Sequence, residues 1–328
     1  MGIAIALILI VVGSIVFHFL SPWVMTPLAS NWGSIDDIMV ITLIITGIVF
    51  IAINFFIAFA VKLPMVPFHS WLPDAHTQAP TAGSVLLAGI LLKTGAYGLI
   101  RIVLPLFPNA TMEFAPVAVT LGVVSIIYGA LMAYSQTDLK RLIAYSSISH
   151  MGFVLLALFS WNEVALQGAI LTIVAHGISS AALFSMAGMI QHRIHSREIG
   201  QMGGIWASAP TMATVTLIFV MAGIGMPGMV NFNGELLTLL GSYQPFHIQA
   251  IIASLGIIGS AVYGLHLFQR AFQGPANVNI TDLHMRELVF TSLLVVALIY
   301  FGLQPHIVLE LSSETLSSLM QIAGEVRP

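Results

Sequence analysis

Val61-Lys62-Leu63-Pro64-Met65-Val66-Pro67-Phe68-His69-Ser70-Trp71-Leu72-Pro73-Asp74-Ala75-His76 interrupts a chain that is apolar over most of its length. A long apolar run precedes this stretch, and a second, carrying Lys93, follows it. Each proline removes a helix hydrogen bond. A charge at the centre of a bilayer costs at least about 2.5–3.5 kcal/mol. A lysine, two histidines, an aspartate and three prolines at this place therefore predict a broken helix whose polar groups are held for a purpose.

Composition sets the frame. The chain has 328 residues, of which 58% are hydrophobic and 7% charged, and its mean hydropathy is +0.99. Soluble domains carry about 25% charged residues, so the fold class expected is an all-α polytopic membrane protein. A net charge of −3 and the lack of any basic block give nucleic acid no footing. No cysteine is present, which excludes disulfides, thiolate metal sites and iron–sulfur ligation by this chain. Scattered glycine and methionine read as packing residues of close helices. Met1 leads straight into Gly2-Ile3-Ala4-Ile5 without a basic n-region. That is a spanning helix, not a signal peptide, and the missing polar lead-in suggests a piece of a longer protein.

A span needs about 20 apolar residues, and that rule gives about nine, at roughly 2–20, 39–62, 81–105, 115–134, 141–160, 164–190, 211–241, 248–272 and 287–304. The seventh is too long for one straight crossing and breaks at Gly225-Met226-Pro227-Gly228. Two broken helices are thus expected, at about residues 39–72 and 211–241. They lie an odd number of spans apart, as in inverted repeats. Residues 1–304 would form the transmembrane domain, and 305–328 an amphipathic helix at the interface. Lys62, Lys140, Arg141, Arg193, Arg197, Arg270 and Arg286 sit at alternate loops. The positive-inside rule then places Met1 in the cytoplasm and Pro328 outside.

Within the spans five residues stand out. Lys93 lies mid-span, too deep for easy snorkelling. Burial favours the neutral amine, so such a lysine can release a proton. His150 and His176 each lie at a span midpoint, level with Lys93. Either alone reads equally well as a satisfied core donor, but together with Lys93 they favour proton transfer. Metal binding is the poorer reading, because the deep histidines lack i, i+4 spacing. Glu235 follows the Pro227 break, where a carboxylate either faces a hydrated cavity or neutralises freed backbone. Lys62 is open to two readings, an interfacial lysine or one inside a broken helix. The second reading requires a carboxylate partner, and neither of the first two spans offers one. Asp138 suits a helix N-terminus, and the segment from His192 to Glu198 reads as a solvated loop. His69, Asp74 and His76 either organise the turn or serve as ordinary caps.

The stretches Lys62–Thr94, Thr137–Phe153, Ala175–Gly177 and Met226–Glu235 together resemble the antiporter-like subunits of respiratory complex I. They are similar also to relatives in cation/proton antiporters and membrane-bound hydrogenases. The resemblance runs over nearly the whole chain. It implies a proton-translocating subunit of an NADH:quinone oxidoreductase, coupled to electron transfer elsewhere. Lys62 would be the lysine of a glutamate–lysine pair, Lys93 the central lysine, His150 and His176 the connecting histidines, and Glu235 the terminal residue. Family members carry further helices ahead of the position of Met1, one with the glutamate that Lys62 calls for. The implied partners are other membrane-arm subunits and lipids, in a bacterial inner membrane. No cofactor is implied in this chain, whereas NAD, FMN, iron–sulfur clusters and quinone belong to the wider complex. Two other functions are weighed: a subunit of an antiporter or hydrogenase complex, and a structural fragment that conducts nothing.

Overall fold

The computed structural model describes residues 33–326. Its centre is a helix that Asp138 starts. The Asp138 carboxylate accepts from the backbone N–H groups of Lys140 and Arg141 at 2.8 and 3.1 Å, which satisfies two donors that a helix N-terminus leaves free. The helix so begun, Leu139–Phe159, is buried at every residue from Leu142 onward. Its neighbours, in chain order, are α1 Gly33–Lys62, α2 Trp71–Gln78, α3 Thr81–Leu106 and α4 Pro108–Tyr134. The central helix is α5. After it come α6 Glu163–Ile194, α7 Pro210–Ile224, α8 Val230–Tyr243, α9 His247–Phe272, α10 Met285–Leu303 and α11 His306–Val326. Phe55–Pro328 forms one compact unit, distinct from the one that ends at Asn54. All residues of the site described below belong to the former.

Among the described residues, seven helices are long and apolar enough to cross a membrane. The expected count was about nine, and the difference has two sources. The span at 2–20 lies outside the described residues. The stretch 211–241 is two half-helices, α7 of 15 residues and α8 of 14, each too short to cross alone. The break falls where the sequence placed it. Gly225 has φ +81° and Gly228 has φ +91°, left-handed values that glycine adopts without penalty. The first break is also present. α1 stops at Lys62 and helix resumes at Trp71, running on to Gln78, beyond the expected boundary at 72.

α5 packs against α2, α4, α6, α8 and α9. Lipid gives helices no hydrophobic drive to associate, so close backbone packing has to supply it. A Cβ at Gly152 of α5 would lie 2.7 Å from the Gly122 carbonyl oxygen of α4. A Cβ at Gly234 of α8 would lie 2.7 Å from the Thr172 backbone nitrogen of α6. The bundle is also clamped outside its apolar zone. The Arg193 guanidinium grips Glu287 through two bonds of 3.0 and 2.5 Å and donates to the carbonyls of Thr281 and Asp282. Asp282 in turn accepts from Thr211 N and Met212 N at the start of α7, at 2.9 and 2.8 Å. Burial pushes the Asp282 carboxyl up, but the backbone bonds from Thr211, Leu283 and Met212 outweigh it and hold it below the usual range. The expectation of a solvated loop at 192–198 holds for His192, His195 and Glu198, which are exposed, and needs correction for the two arginines. The Arg193 side chain is only 7% exposed and paired, and Arg197 sits 3.1 Å from Asp138.

Candidate functional site

α3 is not a regular helix. A π-turn over Leu87–Leu91 precedes Lys93, and a second follows at Leu99–Val103. Such turns disturb the regular carbonyl ladder and often occur at functional sites. The Lys93 ammonium folds back to donate to the Ala88 carbonyl within the first π-turn. Its other contact is Nδ1 of His176 on α6, 2.7 Å away. Gly177 leaves room for this approach, since a Cβ there would lie 3.7 Å from Lys93 Cε and 3.1 Å from the Gly89 carbonyl oxygen. When Lys93 is charged it donates to Nδ1, which fixes the neutral His176 proton on Nε2.

A second pair lies beside the first. Nδ1 of His150, on α5, is 2.9 Å from Oε1 of Glu235 on α8. The half-helix geometry places this carboxylate. Glu235 lies in the second turn of α8, and its Oε2 is 2.9 Å from the position a Cβ would take at Gly225, so the break itself makes the room. The two histidine rings have centroids 5.4 Å apart and are tilted by 44°. Lys93, His176, His150 and Glu235 thus form one line across α3, α6, α5 and α8. None is more than 9% exposed. Imidazole can take a proton on one nitrogen while releasing one from the other, so the line is built from groups able to pass a proton stepwise.

Lys62 is not part of this line. It ends α1 half-buried, and its side chain has no hydrogen bond or ion pair among the described residues. Its backbone does touch α3, since a Cβ at Gly95 would lie 3.0 Å from the Lys62 carbonyl carbon.

The turn residues have specific places. His69 is buried edge-on to Tyr128 at 4.9 Å. Asp74 pairs with Arg141 at 3.1 Å. His76 is fully buried and stacks on Phe184 at 4.2 Å. Neither of its ring nitrogens has a hydrogen-bond partner among the described residues. Burial, then the nearby charges of Lys93 and Lys140, push the His76 imidazole down to about 4. Thr77 and Gln78, which follow it, line a cleft of about 910 Å³ together with Asp138, Lys140, His192 and His195.

Two site residues escaped the reading of the sequence. Lys140 is 2% exposed, with its ammonium 3.1 Å from the Ala79 carbonyl oxygen. Tyr263 of α9 holds its hydroxyl 3.3 Å from Nε2 of His150. A signal for Tyr263 was available. Gly256, Ser260, Tyr263, Gly264 and Leu267 make a stripe of mostly small residues at helical spacing, which marks the inward face of α9.

Comparison with known proteins places the chain in a family. A family model described as NADH:quinone oxidoreductase/Mrp antiporter, TM, matches residues 3–260. NADH-quinone oxidoreductase subunit M of Pseudomonas aeruginosa is 50% identical over 274 residues, covering 83% of this chain and 54% of the relative. The protein of that name from Rickettsia prowazekii is 47% identical over 269 residues, covering 81% and 55%. The chain therefore spans about half the length of the curated relatives it matches. Among solved structures, a chain of respiratory complex I from Thermus thermophilus with bound NADH matches with a TM-score of 0.80 at 34% identity, over 83% of this chain and 58% of that one. A chain of the Mrp complex from Dietzia sp. DQ12-45-1b matches with a TM-score of 0.75 at 20% identity, over 83% and 60%. This second likeness speaks for the fold alone.

Proposed function

The chain belongs to the NADH:quinone oxidoreductase/Mrp antiporter transmembrane family, and from that premise we propose that it is a proton-translocating membrane subunit of an NADH:quinone oxidoreductase. Protons move along Lys93, His176, His150 and Glu235, with Lys62 at the entry side. The observation that carries this reading is the line of two buried pairs, Lys93–His176 at 2.7 Å and His150–Glu235 at 2.9 Å. A purely structural role gives no reason to place four ionisable groups inside apolar helices, given what each costs there. The identity near 50% to subunit M proteins favours the oxidoreductase over an antiporter or hydrogenase assembly.

In this reading the chain performs no redox step. NAD, FMN, iron–sulfur clusters and quinone are handled by other subunits. A change of charge there alters the balance at one end of the line, and repulsion between neighbouring sites drives the next proton on. Lys62 takes its carboxylate from a helix outside the described residues. The loops that carry Lys140, Arg141, Arg193, Arg197, Arg270 and Arg286 face the cytoplasm of a bacterial inner membrane, and the C-terminal helix lies on the opposite face.

The test is Lys93→Ala in the full-length chain, assembled in its complex. Proton uptake driven by NADH oxidation is followed in inverted membrane vesicles, and assembly is followed by native electrophoresis. Translocation should fall at least about tenfold while the complex stays assembled, since the line loses its first donor. Intact assembly with unchanged translocation would overturn the relay.

A further inference from the structure

The relay reading leaves one buried hydroxyl without a role, and the inference drawn from it rests on that reading. Tyr263 is 5% exposed. Its hydroxyl faces Nε2 of His150 at 3.3 Å, while Nδ1 of the same ring faces Glu235. Ser146 lines the same small cavity as Tyr263. Ser146 lies one turn before His150 on α5, so the two share a face. Ser146 Oγ donates to the Ile143 carbonyl oxygen at 2.8 Å, which leaves its lone pairs free to accept. The phenol thus has His150 as its bonded partner, Ser146 beside the same cavity, and one proton to give.

A cavity of about 20 Å³ adjoins these groups, lined in part by Ser146, His150, His176, Ser179, Ser180 and Tyr263. One water needs roughly 10–15 Å³ of such space and two to four polar partners. Nε2 of His176 has no hydrogen-bond partner among the described residues. The cavity therefore lies where the line of ionisable groups has its one gap, between the two histidine rings.

We propose that Tyr263 is the positioning residue that gates transfer from His176 to His150, through a single water held in this cavity. With His150 neutral, Nδ1–H points to Glu235 and the Tyr263 O–H donates to Nε2, so the nitrogen that must receive the proton is occupied. Rotation of the hydroxyl toward Ser146 frees Nε2. The steps then balance. Lys93 gives a proton to Nδ1 of His176. The Nε2 proton of His176 passes to the water. The water gives one of its own protons to Nε2 of His150, and Nδ1–H of His150 passes to Oε1 of Glu235. One proton has moved from Lys93 to Glu235 with no change of electrons. During the step, the Tyr263 oxygen accepts from the newly formed Nε2–H. The hydroxyl thus reports the charge of His150 by reversing its direction.

Tyr263→Phe keeps the ring and removes the reversing group. In the full-length chain within its complex, the initial rate of proton translocation should fall about tenfold, because the charged His150 loses the oxygen that accepts from its new Nε2–H, and that loss outweighs the freeing of Nε2 in the neutral ring. The pH profile adds a readout that a packing role would not move. Titratable groups facing His150 are Glu235 from α8, His176 from α6 and Tyr263 from α9, with Lys93 of α3 one step away behind His176. His76 of α2 acts on His176, and Tyr128 of α4 faces Tyr145 instead. A bond to a charged imidazole is about twice as strong as one to a neutral ring, so its loss favours neutral His150. The alkaline limb of the profile should move down by roughly half to one pH unit. Ser146→Ala should move the limb in the same direction by less, and it carries the test if Tyr263→Phe does not assemble. An assembled Tyr263→Phe complex with normal translocation, or with a slower rate and an unmoved limb, overturns the gate. Ser146→Ala with an unmoved limb overturns it where that variant stands alone. Lys93→Ala run alongside separates the two ideas. If it translocates normally the relay itself fails, and if it is dead while Tyr263→Phe is normal only the gate fails.

Discussion

The two broken helices use one device and complete it differently. At the second break, between α7 and α8, two glycines in left-handed conformation open a gap and Glu235 turns inward to His150. That pair is removed from solvent, with side chains 6% and 2% exposed. At the first break, between α1 and α2, Leu63, Pro64 and Met65 are buried, yet Lys62 is half-buried with no side-chain partner among the described residues. A buried charge needs a counter-charge or a strong hydrogen-bond set. The second break meets that demand from within the bundle, whereas at the first no carboxylate among the described residues reaches Lys62. The contrast teaches that stability and transport should separate at the first break and stay linked at the second.

Glu235→Ala should show the linkage most strongly. It leaves Nδ1 of His150 facing an apolar gap, and breaking a buried pair from one side costs about 3–5 kcal/mol. The thermal midpoint of the purified complex component should drop by several degrees, together with loss of translocation. A variant that keeps its midpoint while losing transport would show that the pair is catalytic only, and the comparison would lose its basis.

Much of this contrast was legible in the sequence, for a physical reason. A bilayer penalises charge and broken backbone so heavily that Lys93, Glu235, Pro64 and Pro227 stand out against an apolar background without any structure. Asp138 was legible as a cap because capping is local. What was not legible is which groups meet. That Lys93 reaches His176 and not His150 depends on the approach of α3 to α6 over Gly177, and on π-turns whose origin no single residue announces. Tyr263 was missed because a tyrosine among Val262, Gly264 and Leu265 carries no charge to betray it. Arg193 and Arg197 were misread because hydropathy sees a basic loop, whereas the loop folds back onto Glu287 and Asp138.

His76 extends the comparison to pH. It closes the first broken segment, fully buried, and takes no proton until about pH 4. In the unfolded chain a histidine takes its proton near 6.5. Between these values the unfolded state binds more protons, so stability rises with pH there. The contribution is full above about pH 6.5 and lost by about pH 4, and the difference is worth up to about 3 kcal/mol. His76→Phe keeps the stack on Phe184 and removes the titrating nitrogens. Thermal midpoints measured from pH 7.5 to 4.5 should fall less steeply in this variant than in the parent. Equal slopes would mean that the first segment is held by something other than a dry, neutral ring.

Lys62→Ala should have the smallest effect on stability and is the sharpest test of the separation. A half-buried lysine with no partner in the bundle contributes little to folding, and its removal should change stability by no more than about 0.5 kcal/mol. The midpoint of the chain should therefore stay put. Translocation in the assembled complex should nevertheless fall, because the relay places Lys62 where protons enter. Two opposite results are informative. A fall in midpoint comparable to that of Glu235→Ala would mean that Lys62 already has its counter-charge within the bundle, and the two breaks would be equivalent. An unchanged midpoint with unchanged translocation would remove Lys62 from the entry side and leave proton entry to the cleft beside Lys140, whose own ammonium is buried against the Ala79 carbonyl.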